Sequence, residues 1–172
     1  MQATFWISAL AGVLAGGLNA ATIGYEVTPL GGNDYQYSYF VSGIVFQANQ
    51  DFDIRFDPTS YALNSLSNPV AGSGFTAMIL QPNNPIGTQG DYIATAQINN
   101  PPLTGPFGLD VVYGGMGVPG SQSFTIDQIN GDGSITVLES GTTSQVPEPS
   151  TILVIAAVGA GLAVRLRRRR VA

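Results

Sequence analysis

Asp51-Phe-Asp-Ile-Arg-Phe-Asp57 alternates charge and apolar bulk at every step. In a β-strand successive side chains point to opposite faces, so Phe52, Ile54 and Phe56 share one face and Asp51, Asp53, Arg55 and Asp57 share the other. A helix would scatter both sets around its circumference. The stretch therefore predicts a half-buried strand, stopped by Asp57-Pro58, in a sheet with one dry and one wet face.

The same period of two runs outward from it. Upstream, Ile23, Tyr25 and Val27 alternate with Gly24, Glu26 and Thr28 until Pro29-Leu-Gly-Gly-Asn-Asp34 breaks the strand. Tyr35, Tyr37, Tyr39 and Val41 then alternate with Gln36, Ser38, Phe40 and Ser42. Downstream, strands are expected at Phe75–Leu80, Asp91–Asn99, Phe107–Tyr113, Ser121–Ile129 and Ser134–Glu139, with a single helical turn at Tyr61–Leu66. Turn chemistry separates them, as in Gln81-Pro-Asn-Asn-Pro85 and Asn130-Gly-Asp-Gly133. About eight short strands without a convincing helix read as all-β: an antiparallel β-sandwich, Ig-like or jelly-roll in topology. The 11 prolines and 22 glycines suit loops and strand edges and would damage a helical bundle.

Charge divides the 172 residues sharply. Between Ala21 and Gln145 ten acids face one base, Arg55, a balance of 1 − 10 = −9; Glu148 and the five arginines beyond it add +4, giving the net −5. A surface that acidic repels phosphate backbones and excludes nucleic acid as a partner. Cysteine and histidine are absent. That removes disulfides, thiolate or imidazole metal sites, and Ser-His-Asp or Cys-His catalysis. No catalytic residue, metal ligand or cofactor is assigned, and the expectation is a protein that is not an enzyme.

Both ends differ from the middle. Phe5–Leu18 is apolar, rich in small residues and leads into Asn19-Ala20-Ala21. It reads as a signal-peptide core with cleavage after Ala20 or Ala21, although Met1-Gln-Ala-Thr carries no lysine or arginine. A buried apolar helix is the competing reading. At the other end Val146-Pro147-Glu148-Pro149-Ser150-Thr151 precedes the uncharged run Ile152–Val164 and then Arg165, Arg167, Arg168, Arg169 and Arg170. The prolines fix φ and remove donors, which keeps the motif extended. The apolar run seeks a membrane, and the arginines favour its anionic cytoplasmic side. Thr151–Val164 spans only about 21 Å at about 1.5 Å per residue, against a hydrocarbon core of about 30 Å. Extension through Leu166 narrows that gap, with Arg165 snorkelling. The expected order is a signal peptide at 1–20, a sandwich at 21–141, a polar linker with the Pro-Glu-Pro motif at 142–150, a transmembrane helix at 151–166 and a basic cytoplasmic tail at 167–172.

Motif, apolar helix and arginine cluster together resemble the PEP-CTERM sorting signal of exported bacterial proteins, over about the last 25 residues. The resemblance implies handling by an exosortase at Pro147-Glu148-Pro149. It also implies anchoring in the inner membrane before processing, then delivery to the cell surface or extracellular matrix. Proteins of this kind are associated with exopolysaccharide and biofilm, which implies a structural or adhesive role. An ordinary C-terminal membrane anchor is the plainer alternative.

Candidate sites within the domain are few. Tyr35, Tyr37 and Tyr39 share a face and can form a sugar-stacking platform, or, with Val41 continuing the stripe, a sandwich core. Asp51 and Asp53, about 7 Å apart on one strand face, have the separation that glycoside hydrolysis uses; solvation of a wet face is the simpler reading. Asn130-Gly-Asp-Gly-Ser134 opens like a calcium loop, but the sixth and twelfth positions hold Ile135 and Gly141 where Gly and Glu are needed. A hairpin turn fits it better. Gly114–Gly120 is glycine-rich, yet a strand pattern follows it and not the helix that would cradle phosphate.

Overall fold

A computed structural model describes residues 20–146. They form ten strands: β1 (Thr22–Gly31), β2 (Asp34–Ser42), β3 (Gln50–Phe56), β4 (Leu66–Val70), β5 (Phe75–Leu80), β6 (Gly90–Ala96), β7 (Phe107–Val112), β8 (Ser123–Ile129), β9 (Ile135–Thr142) and β10 (Ser144–Gln145). Two five-stranded sheets pack as a sandwich, one ordered β10-β1-β2-β7-β4 and the other β5-β6-β3-β8-β9. The chain is all-β over the described residues. Only the hairpins β1–β2, β5–β6 and β8–β9 stay within a sheet, and every other connection crosses between sheets. Both expected topologies, Ig-like and jelly-roll, cross between sheets in this way.

The alternation read from sequence sets which side faces inward. Phe52, Ile54 and Phe56 are fully buried, as are Tyr37, Tyr92 and Ile126, and Ile23 and Leu109 are nearly so. Aromatic rings fill the space between the sheets. Phe107 of the first sheet meets Phe52 and Phe75 of the second edge-on, at 5.3 and 5.1 Å between centroids. Tyr37 stacks on Tyr39 at 5.5 Å. Such pairs add to the area they bury.

Four local differences from the sequence reading have physical reasons. Pro29-Leu30-Gly31 does not break β1: the strand continues to Gly31 through a register shift, and the turn is Gly32-Asn33. Leu66–Val70 pairs with β7 and is a strand; its Asn68-Pro69 interruption hides the period. The expected helical turn lies earlier, where Ser60 and Tyr61 both donate to the Asp57 carbonyl. Finally, the chain does not leave the sandwich at Gly141. β9 runs to Thr142, and Ser144–Gln145 adds to β1 as a parallel strand, so the polar stretch expected as a tether is part of the sheet. Two residues are too short to show any period.

Among the described residues no helix is long and apolar enough to cross a membrane. The expected signal segment, the transmembrane helix and the Pro147–Thr151 and Arg165–Arg170 stretches lie outside the described residues.

Candidate functional site

The tyrosine stripe is core, which corrects the sugar-platform reading for this face. Tyr37 is fully buried and Tyr39 is 2% exposed; Tyr35 is partly buried and packs edge-on to Tyr113 at 6.3 Å. The hydroxyls are satisfied internally. Tyr37 donates to the Gly120 carbonyl at 2.7 Å, lies 3.1 Å from the Tyr61 hydroxyl and accepts from the Gln122 amide. Burial raises the phenol pKa of Tyr37 and Tyr39 well above normal and that of Tyr61 to about 12. These are neutral structural hydroxyls at neutral pH.

The outer face of the second sheet gathers the acids. On the central strand β3, Asp51 lies opposite Thr95 and Asp127, Asp53 opposite Ile93 and Thr125, and Arg55 opposite Asp91 and Ser123. Strands flank β3 on both sides, so this face is not simply wet. Asp51 and Asp127 are each 6% exposed, and Asp53 keeps one carboxylate oxygen buried without a partner. Asp53 meets Arg55 at 3.6 Å, and Asp127 accepts from the Thr125 hydroxyl at 2.8 Å. Desolvation, then the Asp127 charge, raises the Asp51 pKa to about 6. Desolvation, then Asp91, raises Asp53 to about 7 against the opposing pull of Arg55. Asp57 is set apart: its carboxylate accepts the Thr59 amide and hydroxyl, both at 2.8 Å, which lowers its pKa. Among the described residues no group of three or more acids is placed to hold a metal ion.

Asn130–Ser134 is the hairpin turn between β8 and β9, with the Asn130 amide donating to the Ser134 carbonyl at 2.8 Å. Both the Ser134 amide and hydroxyl donate to Asp132. Gly114–Gly120 leads into strand β8, with no helix after it.

Sequence reasoning missed the outer face of the first sheet. On β2 the residues between the buried tyrosines, Gln36, Ser38 and Phe40, point outward into a cleft of about 360 Å³ shared with Glu26, Asn68, Val70, Pro106 and Gly108. A second cleft of about 210 Å³ continues past Asn68 to Leu30, Asp34, Asp110 and Val112. Gly108 forms part of the floor: a Cβ there would lie 2.1 Å from the Tyr37 carbonyl oxygen, so backbone packing demands glycine. Between the two clefts Asp110 accepts from the Gln36 amide at 3.2 Å and the Asn68 amide at 2.7 Å. The available signal was the polar face of the strand whose aromatic face dominates the sequence.

Comparison with known proteins adds a motif and a distant likeness. Residues 145–170 match the PEP-CTERM protein-sorting motif. The chain thus carries an export and sorting signal, which implies membrane association and processing by an exosortase-type enzyme. No curated protein matches the sequence. Among solved structures, the chain is similar to a cohesin module from the family 33 glycoside hydrolase of Clostridium perfringens ATCC13124. The identity is 8% and the TM-score 0.44, over 74% of this chain and 99% of that one.

Proposed function

We propose that this is an exported, non-enzymatic protein of the cell surface or extracellular matrix. It is delivered through its sorting tail, and its acidic sandwich is the working part, structural or adhesive among exopolysaccharides. The observation that carries the reading is the sorting motif at 145–170, whose first residue, Gln145, is the last of strand β10. The Arg165–Arg170 cluster stays cytoplasmic and the domain lies outside. Cleavage after Ala20 suits the fold better than cleavage after Ala21, because Ala21 is buried and Ala20 exposed.

Intact mass of the protein recovered from its host tests this. The expected product starts at Ala21 and has lost the tail from the Pro-Glu-Pro motif onward. A full-length mass in the cytoplasmic fraction would overturn the proposal.

A glycan-binding module is the second reading. The track of clefts over the first sheet favours it, whereas the tyrosine stripe does not.

A further inference from the structure

We infer that the outer face of the β10-β1-β2-β7-β4 sheet binds a neutral oligosaccharide along β2, with Phe40 as the stacking wall and the Gln36–Asp110–Asn68 chain as the hydrogen-bonding rim. The inference deepens the matrix reading by naming the site and the ligand class, and it rests on that reading only for where the sugar is met.

Shape comes first. Residues on one face of a strand are about 7 Å apart, so Gln36 and Phe40 lie about 14 Å apart, longer than a single sugar ring. Asn68 lines both clefts, so the two openings lie side by side along the sheet. A combined opening of several hundred Å³ falls in the range of ordinary ligand sites.

The chemistry is that of a pyranose. A sugar ring has an apolar face of C–H groups and a rim of hydroxyls that both donate and accept. Phe40 is 48% exposed and Val70 46% exposed. With Pro106 they give the first cleft an apolar wall on which a ring face can lie. The rim partners are already oriented. Asp110 holds one N–H of Gln36 and one of Asn68, which leaves each amide its carbonyl oxygen and a second N–H for hydroxyls. Planar groups fixed before binding lose little freedom when the ligand arrives.

Charge decides which sugars. Glu26, Asp34 and Asp110 line the track, and no lysine or arginine does. The one base of the described residues, Arg55, is on the other sheet. Uronates, sulfated and phosphorylated glycans are repelled, and neutral glycans are not.

Full-length protein in detergent, run by affinity electrophoresis through gels containing barley β-glucan, galactomannan, dextran or polygalacturonate, tests the assignment. Retardation is expected in at least one neutral gel and not in polygalacturonate. Phe40→Ala and Gln36→Ala, both at exposed positions, are each expected to weaken it at least tenfold with an unchanged thermal midpoint. Asp51→Asn on the opposite sheet leaves it intact. Retardation in none of the neutral gels overturns the assignment, as does retardation of both variants equal to that of the unaltered protein. So does Phe40-dependent binding of an unstructured peptide with no glycan binding. Each of these leaves the mass test of sorting untouched, so failure here and failure of the export reading are told apart.

Discussion

The hydroxyl of Tyr92, reaching across from the second sheet, accepts the Gly108 backbone amide of the first at 3.2 Å and donates to the Val70 carbonyl at 2.5 Å. It sits where the β4–β7 ladder slips between Ser67 and Val70. There Asn68 adopts a left-handed φ of 49°. One phenol from the far sheet thus stands in for ladder bonds that the bulge removes, directly beneath the floor of the sugar track.

Tyr92→Phe keeps the ring and removes the bridge. Two backbone groups lose their partner, and a buried group left unpaired costs about 1–3 kcal/mol. Urea unfolding is expected to show that loss with an unchanged m-value. A loss under about 0.5 kcal/mol would mean that water takes over the bridge.

The acids of the second sheet make stability depend on pH in an unusual direction. Asp51 and Asp53 have folded-state pKa values raised to about 6 and about 7, above those of an unfolded carboxyl. The folded state therefore binds more protons through that interval, and stability falls as pH rises from about 4 through 7. One pKa unit corresponds to about 1.4 kcal/mol, and pH 4.5 lies about 1.5 units below the Asp51 value and about 2.5 below that of Asp53, so the pair is expected to cost on the order of 5 kcal/mol between pH 4.5 and 8. Asp53→Asn is expected to stabilise the protein by about 1–3 kcal/mol at pH 8 and to change little at pH 4.5. Thermal midpoints at the two pH values measure both effects, and a midpoint that rises with pH would contradict them.

Tyr37→Ala separates the core role of the tyrosine stripe from a binding role. Tyr37 is fully buried and anchors the Gly120, Tyr61 and Gln122 contacts. Its truncation is expected to cost about 3–5 kcal/mol, as for other large aromatics, and to lower the thermal midpoint by many degrees. Loss of glycan retention in that variant would report unfolding, whereas loss in Phe40→Ala at constant midpoint reports the site.

The period of two made the sandwich legible, because Phe52, Ile54 and Phe56 against Asp51, Asp53 and Arg55 has no helical reading. Which side of β2 matters was not legible. Tyr37 and Tyr39 on one side, Gln36 and Phe40 on the other, are equally consistent with either side facing out until the facing sheet supplies Phe52 and Tyr92. The cleft joins β2, β4 and β7, strands brought together by crossings between sheets, and no spacing along the chain encodes that. β4 escaped because Asn68-Pro69 breaks its pattern, and β10 because two residues carry none.

That last strand ties the fold to the sorting motif. Val146 donates its amide to the Tyr25 carbonyl at 2.9 Å, and a Cβ on Gly24 would lie 2.6 Å from a Val146 methyl. Gly24→Val is therefore expected to expel β10, whose pairing with β1 rests on Gly24↔Ser144 and Tyr25↔Gln145. Because only the last strand is released, the global loss should stay near 1 kcal/mol, while local opening near Val146 becomes far more frequent. Hydrogen exchange is expected to show the Val146 amide at least tenfold faster, with β2 and β3 amides unchanged. Docking fixes Val146, the residue that precedes the Pro-Glu-Pro motif in sequence, against Tyr25, so release frees more chain between sandwich and motif. A larger processed fraction of the Gly24→Val protein in the host would show that docking restrains processing. An unchanged fraction despite faster Val146 exchange would show that the enzyme reaches the motif with β10 in place.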